Sequence, residues 1–325
     1  MTGRMCLGFT SFRPETLPYA ESKMHGFSAI VLEEPQTPGF EEMLRGVLSV
    51  EDYLLLTDFA FVRFAEESCG LMRRLYRKGA AILQVDPYMD ELVRIHEYFA
   101  SGGSPEGIEA TTLTGEVYAC ERIWTGRLLD FYRSSRKDDF RELVETIKAF
   151  ARIDAERGLF RNRLRADALE ALLPAYSSIY VEAGYLHLSL QKELLSRPTV
   201  RPGFESFYVL EPVMRDLMGR KQLFTPGDLL TFLYTFGKAA SDSQADTLAA
   251  RSLVYNKIVA KEELPATESD PHPHARDEVR AVSLANAFSF ESCRAIYPRI
   301  RSLPTAQALE TVKEWLASGK GRGLV

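Results

Sequence analysis

Gly26-Phe27-Ser28-Ala29-Ile30-Val31-Leu32-Glu33-Glu34-Pro35 is the stretch on which the fold turns. Phe27 to Leu32 is an apolar run of strand length, with a glycine before it and two acids and a proline after it. A strand with one wet face alternates apolar and polar residues. A strand covered on both faces reads as a run, as in a parallel sheet between layers of helices. Upstream, Met5-Cys6-Leu7-Gly8-Phe9-Thr10 is a second such run, and residues 15–25 have the pattern of a helix closed by Gly26. Strand, helix and strand within some thirty residues make a βαβ unit.

The same punctuation continues downstream. Ala80-Ala81-Ile82-Leu83-Gln84-Val85 is a third buried strand, stopped by Asp86-Pro87, and Ser178-Ile179-Tyr180-Val181-Glu182-Ala183 is a fourth. Between them the pattern is helical. Ser49 followed by Asp52 signals a helix start, running to Lys78 with a break at Cys69-Gly70. Pro87 starts a helix to Ala100, and 115–173 is helical with breaks near Ser134-Ser135 and Gly158. A helix to Leu195 comes after the fourth strand. The expectation is an α/β fold with a mainly parallel central sheet flanked by helices over residues 5–200. After the Pro198–Gly203 boundary, 201–325 is expected to be a mainly helical extension packed on that core, with 262–275 a solvated loop.

Composition narrows the class. At roughly 100–200 residues per domain, the 325 residues make one large domain or two smaller ones. A hydrophobic share of 46% against 26% charged residues suits a globular chain with a full core. The net charge of −5 repels nucleic acid and anionic membrane, so neither is expected as a partner. The four cysteines are far apart and form no Cys-x-x-Cys, which points to thiols in a reducing compartment. The stretch from Met1 to Gly8 has no signal-peptide core, and no apolar run approaches the roughly 20 residues of a membrane span. A cytoplasmic protein with a small-molecule partner is the expectation. Oligomeric state is not encoded legibly. The motifs Gly-x-Gly-x-x-Gly, Gly-x-x-x-x-Gly-Lys-Ser/Thr, Gly-x-Ser-x-Gly and His-Glu-x-x-His are all absent from the sequence.

Ligands of an open parallel sheet bind beyond the carboxyl ends of its strands. The residues just past each apolar run are therefore informative: Thr10 and Ser11, then Glu33, then Asp86, then Tyr185 and His187. Glu33 suits a general base or metal ligand, and equally a helix cap or an arginine partner. Asp86 before Pro87 is first of all an N-cap. His187, after a glycine at a strand-to-helix junction, is the better catalytic candidate. His25 and His96 fall in helices, and His272 and His274 fall in the acidic loop.

The order of these pieces resembles the erythromycin esterase/TraB/ChaN-like superfamily over residues 5 to about 195. Gly26-Phe27-Ser28-Ala29-Ile30-Val31-Leu32-Glu33 is similar to its Gly-Phe-x-x-Val-x-x-Glu phrase. Gly46-Val47-Leu48-Ser49-Val50-Glu51-Asp52 and Val85-Asp86 stand where the family has a helix start and a strand ending in aspartate. Arg161-Asn162-Arg163-Leu164-Arg165-Ala166 and the passage ending Gly184-Tyr185-Leu186-His187-Leu188 complete the likeness. The family's Gly-Glu-x-x-His falls at Gly8-Phe9-Thr10-Ser11-Phe12, where only the glycine is kept.

The resemblance implies a hydrolase-like pocket, an esterase or a metal-assisted hydrolase, with Glu33, Arg161 and His187 carrying the chemistry. Thr10, Ser11, Asp86 and Tyr185 would be binding residues. It names no cofactor for this chain but leaves room for a divalent metal. The lost motif opens the alternative of a non-catalytic binding or interaction protein on the same scaffold, for a haem-like or anionic ligand. A third reading makes the helical C-terminal section an assembly surface and the pocket a relic.

Overall fold

A computed structural model describes residues 3–57, 59–237 and 241–319. Met1 and Thr2, at the head of the stretch without a signal-peptide core, lie outside the described residues, as do the last residues of the helical extension. In chain order the elements are β1 (Arg4–Thr10), α1 (Leu17–Met24), β2 (Ala29–Leu32), α2 (Phe40–Arg45), α3 (Val50–Leu54), α4 (Val62–Arg77), β3 (Ala81–Gln84), α5 (Pro87–Ala100), α6 (Leu113–Ser134) and α7 (Phe140–Leu172). They continue with β4 (Ser178–Gly184), α8 (Leu188–Leu195), β5 (Phe204–Tyr208), α9 (Glu211–Met218), α10 (Pro226–Thr235), α11 (Asp242–Ile258), α12 (Pro273–Asn286), α13 (Phe290–Ile300) and α14 (Thr305–Ala317).

The five strands form one sheet in the order β3-β2-β4-β1-β5, and every pairing is parallel. The protein is therefore α/β, as the apolar runs predicted. Alternation along the strands sends residues to two cores. Cys6, Ile30, Leu32, Ile82 and Tyr180 pack on one face with α1 to α4. Met5, Leu7, Phe9, Val31, Ile179 and Val181 pack on the other with α7 and α8. Both faces are dry, which is why the strands read as runs.

Local signals place the element ends well. Gly26 has φ +86°, the left-handed geometry that closes α1. The Ser49 hydroxyl accepts from the Asp52 amide at the start of α3, and Thr225 and Asp228 form a reciprocal capping box on α10. The structure departs from expectation at several places. The helix expected from residue 50 to 78 is two, α3 and α4, and the break lies before Val62 rather than at Cys69-Gly70. Leu71, Met72 and Leu75 hold that part of α4 in the core, outweighing a helix penalty of about 1 kcal/mol for Gly70. Gly158 likewise lies inside an unbroken α7. Finally, the sheet does not end before residue 200. β5 pairs with β1 from Met5↔Phe204 to Phe9↔Tyr208. It is an edge strand whose Glu205 and Ser206 are exposed, so it lacks an apolar run.

Two units share the chain. One comprises 1–120 and 158–212 and contains the whole sheet; the other comprises 121–157 and 213–325. The division falls within α6 and α7 rather than at Pro198–Gly203. In the second unit, helices α11 to α14 bury Val254, Ile258, Phe288, Ile296 and Val312 completely. His274, expected in a solvated loop, is buried in α12, where its Nε2 accepts from the Leu264 amide at 2.8 Å. Among the described residues no helix is long and apolar enough to cross a membrane.

Candidate functional site

Glu33 leaves β2 at the carboxyl edge of the sheet, on the face covered by α7. Its carboxylate is a hub. Oε1 accepts from Arg161 Nη2 at 2.9 Å and faces His187 Nε2 at 2.7 Å. Oε2 accepts from the Gly184 amide at 2.7 Å and pairs with Arg165 Nη1 at 3.3 Å. Burial alone would raise its pKa. The His187 and Arg161 charges, the hydrogen bond from His187 and the Arg165 charge outweigh burial and hold the carboxyl far below the usual range.

Asp86 plays two parts. One carboxylate oxygen caps α5 by accepting from the Met89 amide at 3.2 Å. The other accepts from Arg161 Nε at 2.8 Å and from Arg161 Nη2. Arg165 stands one helical turn on from Arg161, with its Nε on the Val85 carbonyl at 3.1 Å and Nη2 on the Glu182 carbonyl at 2.6 Å. Thus two guanidiniums from α7 balance two carboxylates from strand ends. Asp86 and Arg165 are sealed, at 0% and 1% side-chain exposure, while Arg161 and His187 keep 14% and 15%. Arg161 and His187 are thus the most solvent-exposed members of the cluster.

His187 stands between two oxygens. Its Nδ1 lies 2.7 Å from Asn162 Oδ1, and Asn162 Nδ2 donates to Ser189 Oγ at 2.5 Å. In that amide orientation Nδ1 is a donor to Asn162 Oδ1 and Nε2 a donor to Glu33 Oε1. Rotating the Asn162 amide by half a turn supplies an N–H to Nδ1 and lets the Ser189 hydroxyl donate to the amide oxygen. The ring is then neutral, with its proton on Nε2. The surroundings satisfy both protonation states.

A second polar layer lies on the opposite face of the sheet. Glu34 accepts from Gln84 Nε2 at 3.0 Å, and the Gln84 amide oxygen accepts from the Thr37 amide at 3.0 Å. Glu182, mid-strand in β4, is buried. Burial, with the Glu34 and Glu33 charges adding and Arg165 only partly offsetting, pushes it up to about 8. Burial also raises Glu34, against the Gln84 hydrogen bond, and the Glu33 charge adds to the shift. The edge of the sheet therefore separates a carboxylate held ionised from carboxyls held towards the neutral form.

The structure brings Glu33, Asp86, Arg161 and His187 together. Thr10 is the last residue of β1: its hydroxyl accepts from the Phe12 amide at 3.4 Å in the turn that follows, and its carbonyl accepts from the Tyr185 amide at 3.2 Å. Ser11 is half-buried in the same turn. Phe12 has φ +53°, the one non-glycine residue with positive φ among the described residues. Its ring reaches within 3.2 Å of the position a Gly184 Cβ would take, beside His187 and Glu33. Sequence reasoning misses Arg165, Asn162, Ser189, Glu34 and Glu182. An i, i+4 arginine pair on one helix face, and an acid inside the apolar run of β4, are the signals that point to two of them.

A divalent metal does not fit this donor set. Glu33 is enclosed by cationic and N–H donors, and no group of three or more histidine, cysteine, aspartate or glutamate side chains among the described residues can hold one. An uncharacterised protein of Archaeoglobus fulgidus is 29% identical over 294 residues, covering 90% of this chain and 98% of the relative. No family model and no solved structure match.

Proposed function

We propose that the carboxyl edge of the sheet is the active site of a metal-independent hydrolase acting on a small ester-like substrate with an anionic group. Water is the nucleophile: with the Asn162 side chain turned away, His187 Nδ1 takes the proton of the water as it adds to the carbonyl and returns it to the leaving alkoxide, while Nε2 stays on Glu33. Glu33 orients the ring and stabilises its cation. Arg161 meets the anionic group or the oxyanion that develops at the carbonyl. Asp86, Arg165 and Asn162 are positioning residues.

The observation that carries this reading is the convergence of Arg161, His187 and the Gly184 amide on the one Glu33 carboxylate, with Arg161 and His187 left partly open. Burying so many charges is costly, and such clusters concentrate at functional sites. The test is hydrolysis of 4-nitrophenyl acetate and 4-nitrophenyl hemisuccinate. The expected result is turnover, faster on the succinate, reduced by about 10²–10⁴-fold in His187→Ala. Equal rates for wild type and variant would overturn it, as would no turnover of either ester.

The saturation of Glu33, and the Phe12 ring where the family's histidine would stand, favour a second reading. In it the same edge binds a small anion without turnover, through Arg161. Binding of succinate that is lost in Arg161→Met, with no hydrolysis of either ester, is its signature.

A further inference from the structure

A cavity of about 120 Å³ lies beside the second polar layer, inside the unit that holds the sheet. Its walls include Phe40, Tyr53, Phe59, Phe61 and Phe64, and the one charged residue among the described residues lining it is Glu34. At about 30 Å³ per water molecule the space holds roughly four waters. That is far below the roughly 300–1,000 Å³ of drug-sized ligand sites, and it excludes a haem.

We infer that this cavity binds a small organic ammonium ion of the size of tetramethylammonium. Aromatic rings carry the negative part of their quadrupole on their faces, and Glu34, which burial holds towards its neutral form, ionises against an entering cation and supplies the counter-charge. A cation already uses one of these rings: the Arg13 guanidinium carbon stands 3.8 Å from the centroid of Phe61. An anion would meet Glu34, with no cationic residue among the described residues that line the space. A hard metal ion needs six or more oxygens, or several bound waters, and the aromatic wall supplies neither. A neutral guest gains nothing from Glu34, whose ionisation in this buried position only an entering cation favours. Covalent capture by Cys69, which also lines the cavity, is disfavoured: burial, with the Glu34 charge adding, pushes its thiol up to about 12, so it stays protonated. Tyr53 is fixed through its hydroxyl, 2.6 Å from Thr37 Oγ1, and its ring centroid lies 5.9 Å from that of Phe40 and 6.2 Å from that of Phe59. The aromatic wall is thus built before any guest arrives.

The test is calorimetric titration of the full chain with tetramethylammonium chloride, with sodium chloride and tert-butyl alcohol as the salt and neutral-shape controls. Saturable binding of tetramethylammonium alone is expected, weakened at least tenfold in Glu34→Gln and several-fold in Phe64→Leu. Binding of the alcohol with equal affinity, no saturable heat, or unchanged affinity in a folded Glu34→Gln would overturn the inference. Should Glu34→Gln fail to fold by circular dichroism, the wild-type comparison of ammonium with alcohol decides. Ester hydrolysis through His187 is read separately. Binding without turnover sinks the hydrolase alone, and turnover without binding sinks this inference alone.

Discussion

Glu33, at the end of β2, and Glu182, inside the neighbouring β4, are buried acids in opposite charge states, and they respond oppositely to the same substitution. Glu33→Gln removes a negative charge that faces two guanidiniums and His187, leaving Arg165 buried without its counter-charge. Breaking a buried pair in this way costs about 3–5 kcal/mol. Glu182→Gln replaces a carboxyl that burial holds neutral below about pH 8 with its neutral isostere, so at pH 8 its stability should match or exceed that of the wild type. Urea unfolding at pH 8 separates the two, and equal destabilisation by both would contradict the assignment. Sequence alone marks Glu33, because an ionisable residue ending an apolar run stands out. Glu182 is marked only by being an acid inside an apolar run, and its neighbours Val181 and Ala183 make it read as one more strand residue. Arg165 is hidden for another reason: a charged residue on a helix is ordinarily solvated, and only the register of α7 against the sheet buries it.

At the level of elements, β1 and β4 meet in a register that Gly8 makes feasible. A Cβ at Gly8 would sit 2.2 Å from Tyr180 Oη and 2.8 Å from its Cζ, so Gly8 is required by the close approach of the Tyr180 ring. The buried Tyr180 hydroxyl has no hydrogen-bond partner among the described residues. Tyr180→Phe should therefore be neutral or stabilising, and Gly8→Ala strongly destabilising. The double variant should lose less than the sum of the two, because removing Oη relieves part of the clash. Strict additivity in thermal or urea unfolding would refute the contact. Elements with apolar runs or caps are legible in the sequence: β1 to β4, the start of α3 and the start of α10. β5 is not, since an edge strand gains its place from main-chain pairing with β1, which leaves Glu205 and Ser206 free to face solvent. The glycines in α4 and α7 mislead for a related reason, since the packing of a long helix overrides a single poor helix former.

For the molecule as a whole, the acids shifted by burial set the pH dependence of stability. Glu34, Glu182 and Asp228 are raised, the last two to about 8 and about 6; for Asp228, burial and Asp154 outweigh the hydrogen bonds to Thr225. The fold holds protons there that the unfolded chain has released above its ordinary value of about 4–4.5. Stability therefore falls as pH rises from about 5 through 8, by up to ~1.4 kcal/mol per pH unit for each such group. Glu33, lowered, contributes stability that is present above its unfolded value and lost only in acid. Unfolding midpoints should be higher at pH 5 than at pH 8, and a flat or rising profile would count against these assignments. The interleaving of the two units carries a cost in time. A ribosome that has finished residue 212 has supplied every residue of the sheet-bearing unit, yet residues 121–157 still await partners that begin at residue 213. With translation at about 5–20 residues per second, Phe140, Leu143 and Val144 wait on the order of 5–20 seconds for the rest of their core. During that interval the nascent chain carries an apolar helical face without the partners that bury it in the finished fold.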